Sequence, residues 1–221
     1  HKTPVQSNPA NLKYLIFTNS IKEMQQILPA YKKEANIIIA LSHIGHDSKG
    51  LDGDIKLAEK AHGIDIIVGG HSEKALFEPI KKNNTFIFQA QNWGKYVGRA
   101  DFEYSNNELK LMNYRLIPVN LKEHPQERLK EDKELLKFLR PYHEKDKELL
   151  QKVLAESHVD LDKKTLMQLI CKSMSAAVES EYPIVSIMNN GGCRLPFLSK
   201  GVIRYRDTLM LLPFNNALCH V

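Results

Sequence analysis

Two histidines of this 221-residue chain stand at matching places. His43 lies in Leu41-Ser42-His43-Ile44-Gly45-His46, and His71 lies in Gly69-Gly70-His71-Ser72-Glu73; each follows a short apolar run. In open α/β sheets, side chains just past the carboxyl ends of parallel strands converge on one crevice, where ligands bind. Neutral imidazole suits Zn, Mn or Fe, and Glu73, two residues after His71, could add a carboxylate oxygen. The nearby glycines let the backbone turn tightly and pass close to a bound ion or phosphate. The competing reading is two solvated loop histidines, and spacing alone does not choose between them.

A second cluster is Asn189-Asn190-Gly191-Gly192-Cys193-Arg194. Glycines at a strand end bring backbone N–H groups forward, and a guanidinium fork recognises phosphate or carboxylate bidentately. The plain alternative is a polar turn with a surface arginine. Leu212-Pro213-Phe214-Asn215-Asn216 offers an aromatic face beside amides, on which a planar base could stack. A core phenylalanine in a proline turn would read the same way. His46 borders the first cluster and carries only a weak functional signal.

The elements that must hold these residues follow from periodicity. Ser20 to Ala35 has helical apolar spacing, and Ile37 to Leu41 is a short unbroken apolar run suited to a strand buried on both faces. Asp54 to His62 is again helical, closed by Gly63, and Ile64 to Val68 is a second buried strand. Helix, strand, helix, strand predicts an α/β layer. Thr85 to Gln91, Lys95 to Tyr104 and Glu108 to Val119 then read as antiparallel strands, with a turn at Asn106-Asn107. From Leu121 a Lys- and Glu-rich stretch predicts a charged connecting helix that Pro141 should end or kink. Beyond it the pattern predicts a helix over Leu166 to Glu179, capped by Asp162 or Thr165. A strand over Pro183 to Met188 and a strand or turn over Leu211 to Cys219 follow.

Composition narrows the class. Apolar residues make up 43% and charged residues 26%, which fits a globular domain and argues against a disordered chain. The net charge of +5 is spread through mixed-sign runs, so no nucleic-acid stripe is expected. No apolar run approaches a membrane span, and no protein partner is implied. Cys171, Cys193 and Cys219 show no C-x-x-C spacing, which disfavours a cysteine zinc site or a disulfide scaffold.

The motifs also resemble a known family. Ile38 to His46 and Ile67 to Ser72 look like the later metal motifs of the 5′-nucleotidase branch of calcineurin-like metallophosphoesterases. Trp93 to Phe102 and Tyr114 to Leu121 are similar to its bacterial UDP-sugar hydrolase/5′-nucleotidase members. Asn189 to Arg194, Gly201-Val202-Ile203 and Leu212-Pro213-Phe214 resemble the family's nucleotide-binding domain. The resemblance implies an α/β fold: the C-terminal half of a metallophosphoesterase α/β/β/α sandwich (1–121), a helical linker (122–150) and a truncated α+β substrate-binding domain (151–221).

It further implies hydrolysis of nucleotide phosphoesters with two divalent ions (Zn, Mn or Co), and a nucleotide or nucleotide-sugar substrate. His43 and His71 would ligate one metal and Glu73 the other, where the family commonly has Gln, Asn or His. Asn189, Gly192 and Arg194 would hold the nucleotide, with Phe214 walling the base and Asn216 touching it. The catalytic histidine and the remaining ligands belong to motifs upstream of His1, so the chain alone is expected to be inactive. Asp160-Leu161-Asp162 stands where the family places an arginine, with Lys163 and Lys164 beside it. A periplasmic or secreted location is implied in the same way. The alternatives are a cyclic-nucleotide phosphodiesterase/3′-nucleotidase, a thiosulfohydrolase, or a non-catalytic nucleotide-binding relative.

Overall fold

The computed structural model describes residues 9–47, 53–121, 126 and 128–214. The chain divides into two compact units, residues 1–130 and 131–221. In the first, helix α1 (Ser20–Tyr31) is started by Asn19, whose side chain accepts from the Lys22 N–H. Strands β1 (Ile39–Leu41) and β2 (Ile66–Val68) flank helix α2 (Asp54–Lys60), and β3 (Ile80–Lys82) and β4 (Thr85–Phe88) follow. They form one sheet in the order β1-β2-β4-β3, with β1, β2 and β4 parallel and β3 antiparallel to β4.

Because side chains alternate across a strand, this sheet has two differently covered faces. Ala40, Ile67 and Ile87 pack under Ile21 and Leu28 of α1 and Leu57 and Ala58 of α2. On the other face Ile66, Phe86 and Phe88 meet a long hairpin, β5 (Tyr96–Ser105) and β6 (Glu108–Pro118), through Phe102, Leu109, Leu111 and Tyr114. The hairpin turns at Asn106-Asn107, as predicted, with both residues at positive φ (51° and 61°). That backbone matches the right-handed twist of the flanking strands. The hairpin does not reach β1. Ile39 and Leu41, predicted buried on both faces, are therefore 56% and 83% exposed.

In the second unit, helix α3 (Lys133–Lys145) is capped by Asp132, and Pro141, expected to end or kink it, does not end it. Proline removes the N–H that would bond Lys137 O, but the helix has no buried residue. Water can satisfy that carbonyl, so the break loses its usual cost. Helix α4 (Lys147–Gln151) leads to β7 (Val153–Ser157), which pairs antiparallel with β10 (Gly201–Arg204). Strand β8 (Leu161–Asp162) pairs with β9 (Phe197–Leu198). Helix α5 (Lys163–Ala176) starts where Asp162 Oδ1 accepts from the Thr165 N–H at 2.8 Å, the predicted cap. Leu166 and Ile170 of α5, with Leu161, Cys193, Leu195 and Leu211, form the core of this unit.

One expectation fails here. Pro183 to Met188 belongs to no strand among the described residues, and Val185 and Ile187 are each 82% exposed. β-Branched residues favour strands only when a neighbouring strand gives them a surface to pack on. Helix α6 (Tyr205–Leu211), started by Asp207 Oδ2 accepting from the Arg204 N–H at 2.7 Å, leads up to the strand or turn predicted over Leu211 to Cys219, most of which lies outside the described residues. Residues 215–221, including Cys219, lie outside the described residues.

Ile87 is fully buried between the sheet and both helices of the first unit. Ile87→Ala is expected to cost about 2–5 kcal/mol by loss of transfer energy plus the cavity left behind. Urea unfolding followed at a probe in the first unit measures it.

Candidate metal centre

Parallel pairing of β1 with β2 in the register Leu41↔Val68 makes their exit loops neighbours. His43 and His71 emerge from these loops, and their ring centroids are 5.3 Å apart with planes at 72°. Two imidazoles sharing one tetrahedral ion at Zn–N distances of about 2.0–2.1 Å would have centroids roughly 5 Å apart, so the pair fits a common cation. The backbone leaves room for it. A Cβ on Gly70 would sit 2.8 Å from His43 Nδ1, so only glycine lets the second loop approach this ring. His71 itself is left-handed, with φ 70°.

Glu73 is exposed and also left-handed (φ 54°). It is expected on the second ion and not on the one the imidazoles would share; among the described residues, no group of three or more His, Cys, Asp or Glu could hold a metal ion. The structure thus brings together the two histidines expected on one ion.

Behind the pair lies a buried polar layer that sequence reading missed. Asp54, at the start of α2, is fully buried and accepts a hydrogen bond from Ser42 Oγ, the residue before His43. A Cβ on Gly69 would overlap Asp54 Oδ2, which has no hydrogen-bond partner among the described residues. Burial pushes the Asp54 carboxyl above the ordinary aspartate value; the Ser42 hydrogen bond and the positive charge of His46 and His43 oppose this. Nearby, Ser72 Oγ donates to Gln89 Oε1 at 2.7 Å and lies 2.8 Å from His46 Nδ1. An acid in a first helical turn ordinarily reads as an exposed dipole partner, so only the bulk of α2 against the sheet reveals Asp54 as buried.

The second unit gathers part of the other predicted set. Asn189 folds back on its own turn, its Oδ1 accepting from the buried Gly192 N–H at 2.7 Å. The Arg194 guanidinium lies over the Phe214 ring at 5.8 Å, with both residues exposed. The Arg194 N–H donates to Leu211 O at 2.9 Å, tying the glycine turn to the end of α6. Asn216 lies outside the described residues. The acids at 160 and 162 have structural duties: Asp160 accepts from the Lys200 N–H, and Asp162 caps α5.

The chain is similar to known proteins along nearly its whole length. Residues 145–221 match the family described as the 5′-nucleotidase C-terminal domain. A 5′-nucleotidase of Vibrio cholerae is 32% identical over 97% of this chain. The chain spans about half of that relative, 46% of its length. Among solved structures, the sulfate thiohydrolase SoxB of Thermus thermophilus superposes with a TM-score of 0.69 at 23% identity, over 95% of this chain and 37% of its own. A Staphylococcus aureus protein assigned as a 5′-nucleotidase superposes at 0.60 with 18% identity, over 96% of this chain and 43% of its own. These structural likenesses concern the fold.

The raised Asp54 value fixes the sign of a pH effect. The folded state binds this proton more tightly than the unfolded state. The resulting stability is therefore full below the ordinary aspartate value and is lost as pH rises through the higher folded value. Asp54→Asn should flatten that loss, so thermal-melt profiles of variant and wild type should diverge across that window, the variant gaining as pH rises.

Proposed function

We propose that this chain, a member of the 5′-nucleotidase family, forms part of a metal-dependent nucleotide phosphohydrolase. The observation that carries the reading is the convergence of His43 and His71 at the ends of two paired parallel strands. A divalent ion held there would supply Lewis-acid polarisation of phosphoryl oxygens and the acidity that makes water a nucleophile at neutral pH. His43 and His71 would donate a neutral nitrogen each. Their loops are fixed from behind by Ser42, Asp54 and Ser72, so little reorganisation is needed on binding.

Arg194 and Phe214 suit the nucleotide. The guanidinium offers a planar fork for a phosphate oxygen pair, and the exposed ring offers a face for the base. Asn189 contributes indirectly by holding the turn that presents Arg194. Nucleoside monophosphates and UDP-sugars are the substrate classes that combine a base with a phosphoester or pyrophosphate. A periplasmic or secreted location is part of the proposal, supported by the family resemblance alone; among the described residues, no helix is long and apolar enough to cross a membrane.

A non-catalytic nucleotide-binding role is the second reading, favoured by Glu73 standing where the resemblance expects Gln, Asn or His and by Asp160 and Asp162 standing where it expects an arginine. Two measurements separate them. Arg194→Ala should weaken AMP binding to this chain by about tenfold or more, corresponding to the roughly 1.5–3 kcal/mol of a charged hydrogen bond; calorimetry reads it, and both readings require it. In the whole polypeptide that carries this sequence, Mn-dependent phosphate release from AMP or UDP-glucose should fall at least a hundredfold in the His43→Ala, His71→Ala double variant. Release that survives the double substitution contradicts the metal assignment, and binding without release supports the second reading.

A further inference from the structure

We propose that His46, Ser72 and Gln89 form a positioning relay that presents His71 to His43; its consequence for metal binding rests on the reading above, but the relay itself does not. The relay joins the ends of three strands. His46 lies in the loop after β1, Ser72 in the loop after β2, and Gln89 directly follows β4. Gln89 is the fixed end, 2% exposed, with its carbonyl accepting from the Leu76 N–H at 3.0 Å.

The hydrogen bonds run in one direction. A serine hydroxyl has a single proton. Ser72 Oγ gives that proton to Gln89 Oε1 at 2.7 Å, so towards His46 it acts as acceptor. The partner at 2.8 Å is then the His46 Nδ1–H, and the His46 backbone N–H points at the same oxygen from 3.4 Å. His46 is thereby committed as an orienting group through Nδ1.

Ser72 occupies the one place where such a clamp controls the site. It separates His71 and Glu73, both left-handed without being glycine. Such backbone persists only where the surroundings over-determine it, and the two side-chain bonds of Ser72 supply that determination from β4 and from the other loop. The loops also lie beside one another. A Cβ on Gly45 (φ +82°) would lie 3.7 Å from Ser72 Cβ and 3.8 Å from His71 Cδ2. The arrangement is poor for stability alone, because Gln89 Nε2 is buried without a partner among the described residues. An unmet buried donor opposes folding, so the amide is better explained by what its oxygen holds.

The test begins without metal. In wild type, nuclear Overhauser contacts between the His43 and His71 rings are expected, since their centroids are 5.3 Å apart. Ser72→Ala and His46→Ala should each abolish these contacts while the amide spectrum of β2 and β4 stays as in wild type. Ser72→Thr, which keeps the hydroxyl, should restore them. Contacts that persist in both alanine variants, or that Ser72→Thr fails to restore, overturn the relay. Zn is then added to the same samples. In wild type both rings should shift at one Zn concentration, and Ser72→Ala should raise that concentration about 10- to 100-fold. If Zn moves neither wild-type ring while the metal-free contrasts hold, the relay stands and the metal reading fails.

Discussion

Parallel pairing of two three-residue strands governs everything else in the first unit. Antiparallel neighbours would send their exit loops to opposite ends of the sheet; parallel ones send them to the same end. With Leu41 opposite Val68, two residues of loop suffice to carry His43, and three to carry His71, into ring contact. The sheet that enforces this is anchored mainly from one face, where α1 and α2 cover Ala40, Ile67 and Ile87. Helix α2 contributes twice. Its apolar side fills that core, and its first residue, Asp54, reaches the loop before His43.

The polar layer between core and histidines shows a division of labour common at ligand sites. Hydrophobic burial decides where the loops end, and hydrogen bonds decide which way their side chains face. Asp54 and Gln89 each leave one buried polar atom unmatched among the described residues. Such groups cost stability in a core made only for packing; here they sit against the two loops that carry the candidate ligands. The second unit repeats the theme more simply. The Asn189 side chain closes the glycine turn, the Arg194 backbone ties to the end of α6, and the guanidinium and Phe214 ring are left at the surface together.

Much of this was legible in the sequence wherever local chemistry decides structure. Asn106-Asn107 specified its hairpin turn because both residues tolerate left-handed backbone, and Asp162 specified the start of α5 because its carboxylate meets an orphan N–H. The strand-end placing of His43 and His71 followed from the unbroken apolar runs before them. What escaped depends on neighbours that a sequence does not display. Pro141 does not end its helix because that helix is exposed along its length, and Pro183 to Met188 forms no strand because no described strand lies alongside. Asp54 and Gln89 looked like ordinary polar residues; only packing makes them buried.

The central claim is that His43 and His71 share one divalent cation. X-ray absorption on the chain loaded with one equivalent of Zn tests it most directly. The account predicts scattering from two imidazoles with Zn–N distances of about 2.0–2.1 Å, reduced to one imidazole in either His43→Ala or His71→Ala. A first shell without paired imidazoles, or one unchanged by both substitutions, would contradict it.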